Sequence, residues 1–252
     1  MSSALPVLPV SRLLLWRHGR TEWNAAGRFQ GQLDPPLDDE GRNQAALAAP
    51  QLLALGLPRE ETVVVSSDLT RAAETAATLT ALLDVPLRLD ARLREHGMGS
   101  WEGLTRDEVA GSHPDQYADW MAGRPVRGRG GEDPAEVAER AVAALADLPP
   151  APVAVVVTHG GTAGRLVERL LGIGPDHRRV FGPLGNCAWS ELAFQGGHWR
   201  LIRHNSSVLQ RPGADAGADG RAPALRAVPS LPDAPARGPD AEPPVTDADA
   251  VL

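Results

Sequence analysis

Three runs of consecutive apolar residues, each closed by a polar cluster, organise this chain. Leu13–Trp16 ends at Arg17-His18-Gly19, Val63–Val65 at Ser66-Ser67-Asp68, and Val153–Val157 at Thr158-His159-Gly160-Gly161. Runs without alternation indicate strands buried on both faces, which is the habit of parallel sheets covered by helices. The pattern predicts strands over residues 12–17, 62–65 and 153–157, with a short one over 86–89. Ala/Leu-rich segments follow them and predict helices over 38–56, 69–83 and 162–171, the second capped by Ser66-Ser67-Asp68. Thr105-Arg106-Asp107-Glu108 and Asp133-Pro134-Ala135-Glu136 have the form of capping boxes, and the latter opens a helix reaching about Ala146. Residues 187–194 and 199–203 predict a hairpin turning at Gln195-Gly196-Gly197.

Strand followed by helix, repeated, implies βαβ units and an α/β fold. The Gly-, Arg- and Pro-rich segment 111–131 is expected to form an excursion over the sheet, a place where specificity loops are found. From residue 211 onward the chain turns to Pro, Ala, Gly and Asp without periodicity, so 211–252 is expected to be a disordered tail. Residues 1–11 are expected to be a flexible N-terminus, leaving one domain over 12–210.

The chain has 252 residues and a formal charge of −7, which argues against general binding to nucleic acid or anionic membrane. Its basic residues are all arginines, so lysine chemistry is excluded. The lone Cys187 cannot form an internal disulfide and is expected to be a buried structural thiol. No signal peptide or membrane span is read from the sequence, and a cytoplasmic location is expected.

The three polar clusters follow the carboxyl ends of three strands, and in a doubly wound sheet those ends share one rim. Two histidines, the guanidinium groups of Arg17 and Arg71, and helix-start amides would meet there, a set suited to a phosphate dianion. Arg17-His18-Gly19 alone is a weak signal, and its weight comes from company. Thr21, Asn24, Arg28, Gln30-Gly31, Leu37 and Gly41 follow it, then Ser66-Ser67-Asp68-Leu69 with Arg71 and Thr75. Leu93-Arg94-Glu95, Gly99, Trp101-Glu102-Gly103 and Thr158-His159-Gly160-Gly161 complete the series.

Over about residues 12–205 this series resembles the histidine phosphatase superfamily, also called phosphoglycerate mutase-like. Residues 30–34, 92–95 and 185–189 are most similar to its actinobacterial glucosyl-3-phosphoglycerate phosphatase type. The resemblance implies a three-layer α/β/α sandwich with a mostly parallel sheet. It implies a phosphomonoester hydrolase without cofactor or metal, acting on a small phosphorylated metabolite, with a homodimer as its possible assembly. His18 would attack phosphorus, Glu95 would serve as acid and then base, and Arg17, Arg71 and His159 would hold the phosphoryl oxygens. Asn24, Gln30, Gly31, Gly160 and Arg20 would contact substrate.

A working acid needs burial or a neighbouring anion, and this is expected around Glu95. Met98 replaces the mutase tyrosine and Met121-Ala122 the mutase arginine pair, which favours phosphatase over the alternative of a cofactor-dependent phosphoglycerate mutase. Retention of His18 and Glu95 favours both over a silent phospho-ligand-binding module. Asp68 is read as a helix cap, Gly27 and Gly41 as turn residues, and Glu22 and Glu102 as lesser rivals to Glu95. A zinc site built from His18, His96 and His159 is disfavoured by the adjacent arginines. Arg20 departs from the common glutamate, and its charge is expected to favour a second anionic group on the substrate.

Overall fold

The computed structural model describes residues 7–174 and 180–208. Six strands form one sheet: β1 (Arg12–Arg17), β2 (Thr62–Ser66), β3 (Leu87–Leu89), β4 (Val153–Thr158), β5 (Trp189–Gln195) and β6 (His198–Ser206). Their order is β3-β2-β4-β1-β5-β6. The first four run parallel, while β5 and β6 add an antiparallel hairpin beside β1.

The unbroken apolar runs occupy the centre, as their composition requires. In β4 and β2 every residue is buried, and Leu13–Trp16 are fully enclosed. Alternate side chains feed two separate cores. Leu13, Leu15, Val63, Val65, Ala154 and Val156 pack with Val142, Leu145, Leu166 and Leu170, which belong to α6 (Pro134–Ala146) and α7 (Gly160–Leu171). Leu14, Trp16, Val64, Val155 and Val157 pack on the other side against Ala45, Ala48, Leu52, Ala72, Ala76 and Leu79 of α2 (Asp39–Leu53) and α3 (Thr70–Leu83). The architecture is therefore a three-layer α/β/α sandwich with a mostly parallel sheet.

Both capping boxes form, at α4 (Arg106–Ser112) and at α6. The excursion is more ordered than its composition indicated. Pro114 starts a helix, α5 (Pro114–Ala122), that Gly123 ends at φ +74°. Phe29, Trp101, Tyr117 and Trp120 cluster with ring centroids 5.3–6.2 Å apart, and the Trp101 indole N–H donates to Gln116 Oε1 at 2.9 Å. A further short helix, α1 (Glu22–Ala25), is held by a capping box between Thr21 and Asn24.

Two other expectations are corrected. Asp68 does not cap α3, because its carboxylate is taken by Arg94 at 2.6–2.7 Å. Asp34 caps that helix instead, accepting from the Thr70 N–H at 2.8 Å and the Thr70 hydroxyl at 2.7 Å. The N-terminal segment is anchored from Pro9 on: Ala151 N–H donates to Pro9 O, Phe194 N–H donates to Ser11 O, and Val10 is buried. Residues 1–6 and the expected tail over 211–252 lie outside the described residues. Among the described residues, no helix is long and apolar enough to cross a membrane.

Candidate active site

β1, β2 and β4 deliver their polar ends to one place. His18 follows β1 with its N–H on Thr158 O and its carbonyl on Cys187 N–H, so its main chain continues the pairing on both sides. Gly19 turns the chain away, and a Cβ there would stand 2.4 Å from Gly41 O. Gly41 is correspondingly a close-packing residue inside α2 rather than a turn residue, whereas Gly27 lies at φ +66° in open space, as a turn glycine should.

His18 is 2% exposed, and its Nδ1 lies 2.7 Å from Gly19 O. A carbonyl only accepts, so Nδ1 carries the proton and Nε2 keeps its lone pair. Burial, with Arg71 and Arg17 nearby, holds the His18 pKa well below the usual imidazole value. This imidazole is neutral and nucleophilic at Nε2.

His159 stands beside it with ring centroids 5.1 Å apart. It is fully buried, its pKa is lowered by burial and then by Arg71, and its Nε2 lies 2.9 Å from Ser67 Oγ. Arg71 is completely buried on the first turn of α3 and donates to Leu33 O at 2.7 Å and Gly31 O at 2.9 Å. Burial lowers its pKa to about 10, which leaves it charged at neutral pH. Arg17 is half-buried and donates to Leu184 O at 2.6 Å.

Glu95 is half-buried and sits on the N-terminus of α7. Its Oε2 accepts from Gly161 N–H at 3.1 Å, and Oε1 accepts from Thr162 N–H at 3.0 Å and its own neighbour His96 N–H at 2.7 Å. A Cβ at residue 161 would stand 2.6 Å from Oε1, so glycine is what admits the carboxylate here. This corrects one expectation: the helix-start amides of α7 and α3 are largely spent on Glu95 and Asp34 rather than held open for a ligand.

Asn24 directs Oδ1 to the Thr21 N–H and hydroxyl and to Asn186 Nδ2, all within 3.2 Å, while its own amino group makes no hydrogen bond among the described residues. Gln30 is 8% exposed with Oε1 buried and unpartnered. Gly31, at φ +50°, abuts the Glu102 carboxylate, and a Cβ on Gly160 would come 3.4 Å from Arg17 Nε. Arg20 is corrected: it donates to Asp38 at 2.8 Å, so its charge is offset where an added positive field was expected. Buried polar atoms without partners are uncommon in proteins, and Gln30 Oε1, Arg71 Nε and His159 Nδ1 are three of them. Thr62, Glu74 and Trp189, outside the expected site, also carry such atoms.

Of the lesser candidates, Glu102 Oε1 accepts from Met98 N–H and Gln32 N–H, and His96 is turned toward Glu132. Among the described residues, no three His, Cys, Asp or Glu side chains gather as metal ligands. Cys187 is buried, with its thiol pushed up to about 12 by desolvation, as suits a structural residue. Local spacing gave no hint of Arg140. From α6 it donates to the carbonyls of Arg92, Arg94 and Glu95 at 2.6–3.0 Å and to both oxygens of Glu132 at 2.8–2.9 Å. It clamps the main chain that carries Glu95.

A family model described as Histidine phosphatase superfamily (branch 1) matches residues 13–207. The chain belongs to the histidine phosphatase superfamily. It is 40% identical over 224 residues to a glucosyl-3-phosphoglycerate phosphatase of Mycolicibacterium vanbaalenii, covering 79% of this chain and 96% of that one. A probable phosphoglycerate mutase GpmB of Cronobacter sakazakii is 36% identical over 192 residues, covering 75% and 87%. The solved mycobacterial glucosyl-3-phosphoglycerate phosphatase in complex with VO3 superimposes with a TM-score of 0.69 at 36% identity, covering 79% of this chain and all of that one. Within the superfamily, the likeness thus spans proteins named as phosphatases and as mutases.

Proposed function

We propose that this superfamily member is a phosphomonoester hydrolase acting through a phosphohistidine at His18, on phosphorylated glycerates of the glucosyl-3-phosphoglycerate type. The observation that carries the reading is the Nδ1 contact with Gly19 O, which presents a neutral Nε2 lone pair between Arg17, Arg71 and His159. Nε2 forms the bond to phosphorus as the ester P–O bond breaks, and Glu95 gives its proton to the departing alcohol oxygen. The two guanidinium groups and His159 stabilise charge on the equatorial oxygens, with Asn24, Gln30, Gly31 and Gly160 lining the approach. In the second half, Glu95 takes a proton from water as its oxygen bonds to phosphorus and the P–N bond breaks. Inorganic phosphate and free His18 result.

The contacts of Glu95 are all with donors, which is how a carboxylate acts as acceptor. The entering phosphoryl dianion is the anion that comes to stand beside it. Positive charge is supplied by side chains, so the scheme routes no step through a metal. The names of the mycobacterial relatives support the substrate class, and the single buried Cys187 suits a reducing, cytoplasmic setting.

Phosphate release from glucosyl-3-phosphoglycerate, with His18→Ala as control, tests the reading. Release by the wild type alone, with 3-phosphoglycerate giving no 2-phosphoglycerate, is expected. Isomerisation without net release would instead identify a mutase.

A further inference from the structure

We infer that Arg129 reads a carboxylate on the substrate, so that the site prefers phosphorylated hydroxy acids to phosphomonoesters lacking a second charge. The inference rests on the phosphatase reading for the position of the phosphoryl group, and adds a residue that the sequence pattern did not single out.

Arg129 is 8% exposed, and the carboxylate that acts on it, Glu102, does so through space and not as an ion pair. Its Nη1 meets Met98 Sδ at 3.4 Å, a weak acceptor, and its guanidinium carbon lies 5.3 Å over the Trp101 ring. Its Nη2 lies 3.1 Å from His96 Nε2, a nitrogen that also stands 2.8 Å from Glu132 O. One nitrogen cannot both donate to that carbonyl and accept from the guanidinium, so only one of the two contacts is a hydrogen bond in either tautomer of His96.

Other buried or half-buried arginines contrast with this. Arg12, Arg94 and Arg140 each have a carboxylate within 2.9 Å, and the fully buried Arg71 has two carbonyls and Asp34 at 3.8 Å. A buried cation whose neighbouring carboxylate, Glu102, makes no ion pair with it is costly to keep, and an anionic ligand would offset that cost.

Its place is fixed as well. Ser100 N–H donates to Arg129 O at 2.8 Å, and Glu132 N–H donates to Gly97 O at 3.0 Å. At Gly99, φ +59°, a Cβ would fall 2.1 Å from Arg129 O, so the two loops are in direct main-chain contact. His96 links this cation to the catalytic acid, since its N–H donates to Glu95 Oε1. His96 thus stands between the two, its ring toward the guanidinium and its main-chain N–H toward Glu95. A substrate whose alcohol portion carries a carboxylate places its second charge on that side of the phosphorus.

The probes are 3-phosphoglycerate and glycerol 3-phosphate, which share the phosphate and differ by the carboxylate. Their affinities are measured by calorimetry in a His18→Ala background, with and without Arg129→Met, a change suited to the Met98 and Trp101 surroundings. The ratio of the two affinities should favour 3-phosphoglycerate and fall at least about tenfold in Arg129→Met. Arg129→Lys, which keeps the charge, should retain part of it and serves if the Met variant does not fold. An unchanged ratio, including an equal loss for both probes, would overturn the inference, as would a wild-type site with no preference. Failure of the phosphatase reading shows separately, as absence of phosphate release by the wild type.

Discussion

A single hydrogen bond, from Nδ1 of His18 to the Gly19 carbonyl, decides the chemistry available at the centre of the site. It selects the tautomer, and burial keeps the ring uncharged. Because His18 and His159 are both held below 6.5, the unfolded chain binds more protons than the folded one as pH falls through that value. Their contribution to stability is full above pH 6.5 and is lost below it. Urea denaturation at pH 7.5 and 5.5 should show that loss, and it should shrink in His18→Gln. Arg71→Ala should lower kcat by about 10²- to 10³-fold, since it removes a donor aimed at developing charge, and phosphate-release kinetics would show it. Arg17, His18, Arg71, Glu95 and His159 were legible in the sequence because each sits in a short motif at an element's end. Arg140 and Arg129 were not, because their meaning lies in contacts across 31–48 residues that no local spacing encodes.

The elements repeat this division between local and distant causes. Strands buried on both faces announce themselves as apolar runs, and the two capping boxes form from four consecutive residues each. The starts of α3 and α7 could not be read this way, since Asp34 and Glu95 cap them from 36 and 67 residues away. Asp34→Ala should cost about 1 kcal/mol, as loss of an N-cap does, visible as a lowered denaturation midpoint. Glu95→Gln exchanges acceptor oxygens for a mixed amide, so it should slow phosphoryl transfer while leaving the fold intact by circular dichroism. Arg140→Leu frees three carbonyls and removes the ion pair of Glu132, which keeps only the donors of Gln32 and Gly97. It should destabilise by about 1–3 kcal/mol and reduce kcat more than it raises KM, because it moves the acid rather than the phosphate clamp.

At the scale of the molecule, the sheet order brings β1, β2 and β4 side by side, so the ends that carry His18, Ser67 and His159 converge. Parallel pairing of all three puts those ends on one rim, which the alternation of strand and helix already implied. The ordered excursion was less legible: its Gly and Pro content conceals α5, and the aromatic cluster that holds it joins Phe29 to Trp101, Tyr117 and Trp120. The proposed covalent phosphoryl transfer by His18 rests on the architecture, the family and the paired histidines. Rapid acid-free quenching of the wild type with 32P-labelled phosphomonoester, followed by peptide mapping, tests that claim most directly. The account predicts an acid-labile, base-stable phosphoryl group on the peptide bearing His18, absent from His18→Ala. Turnover without label at His18, or with undiminished rate in His18→Ala, would contradict it.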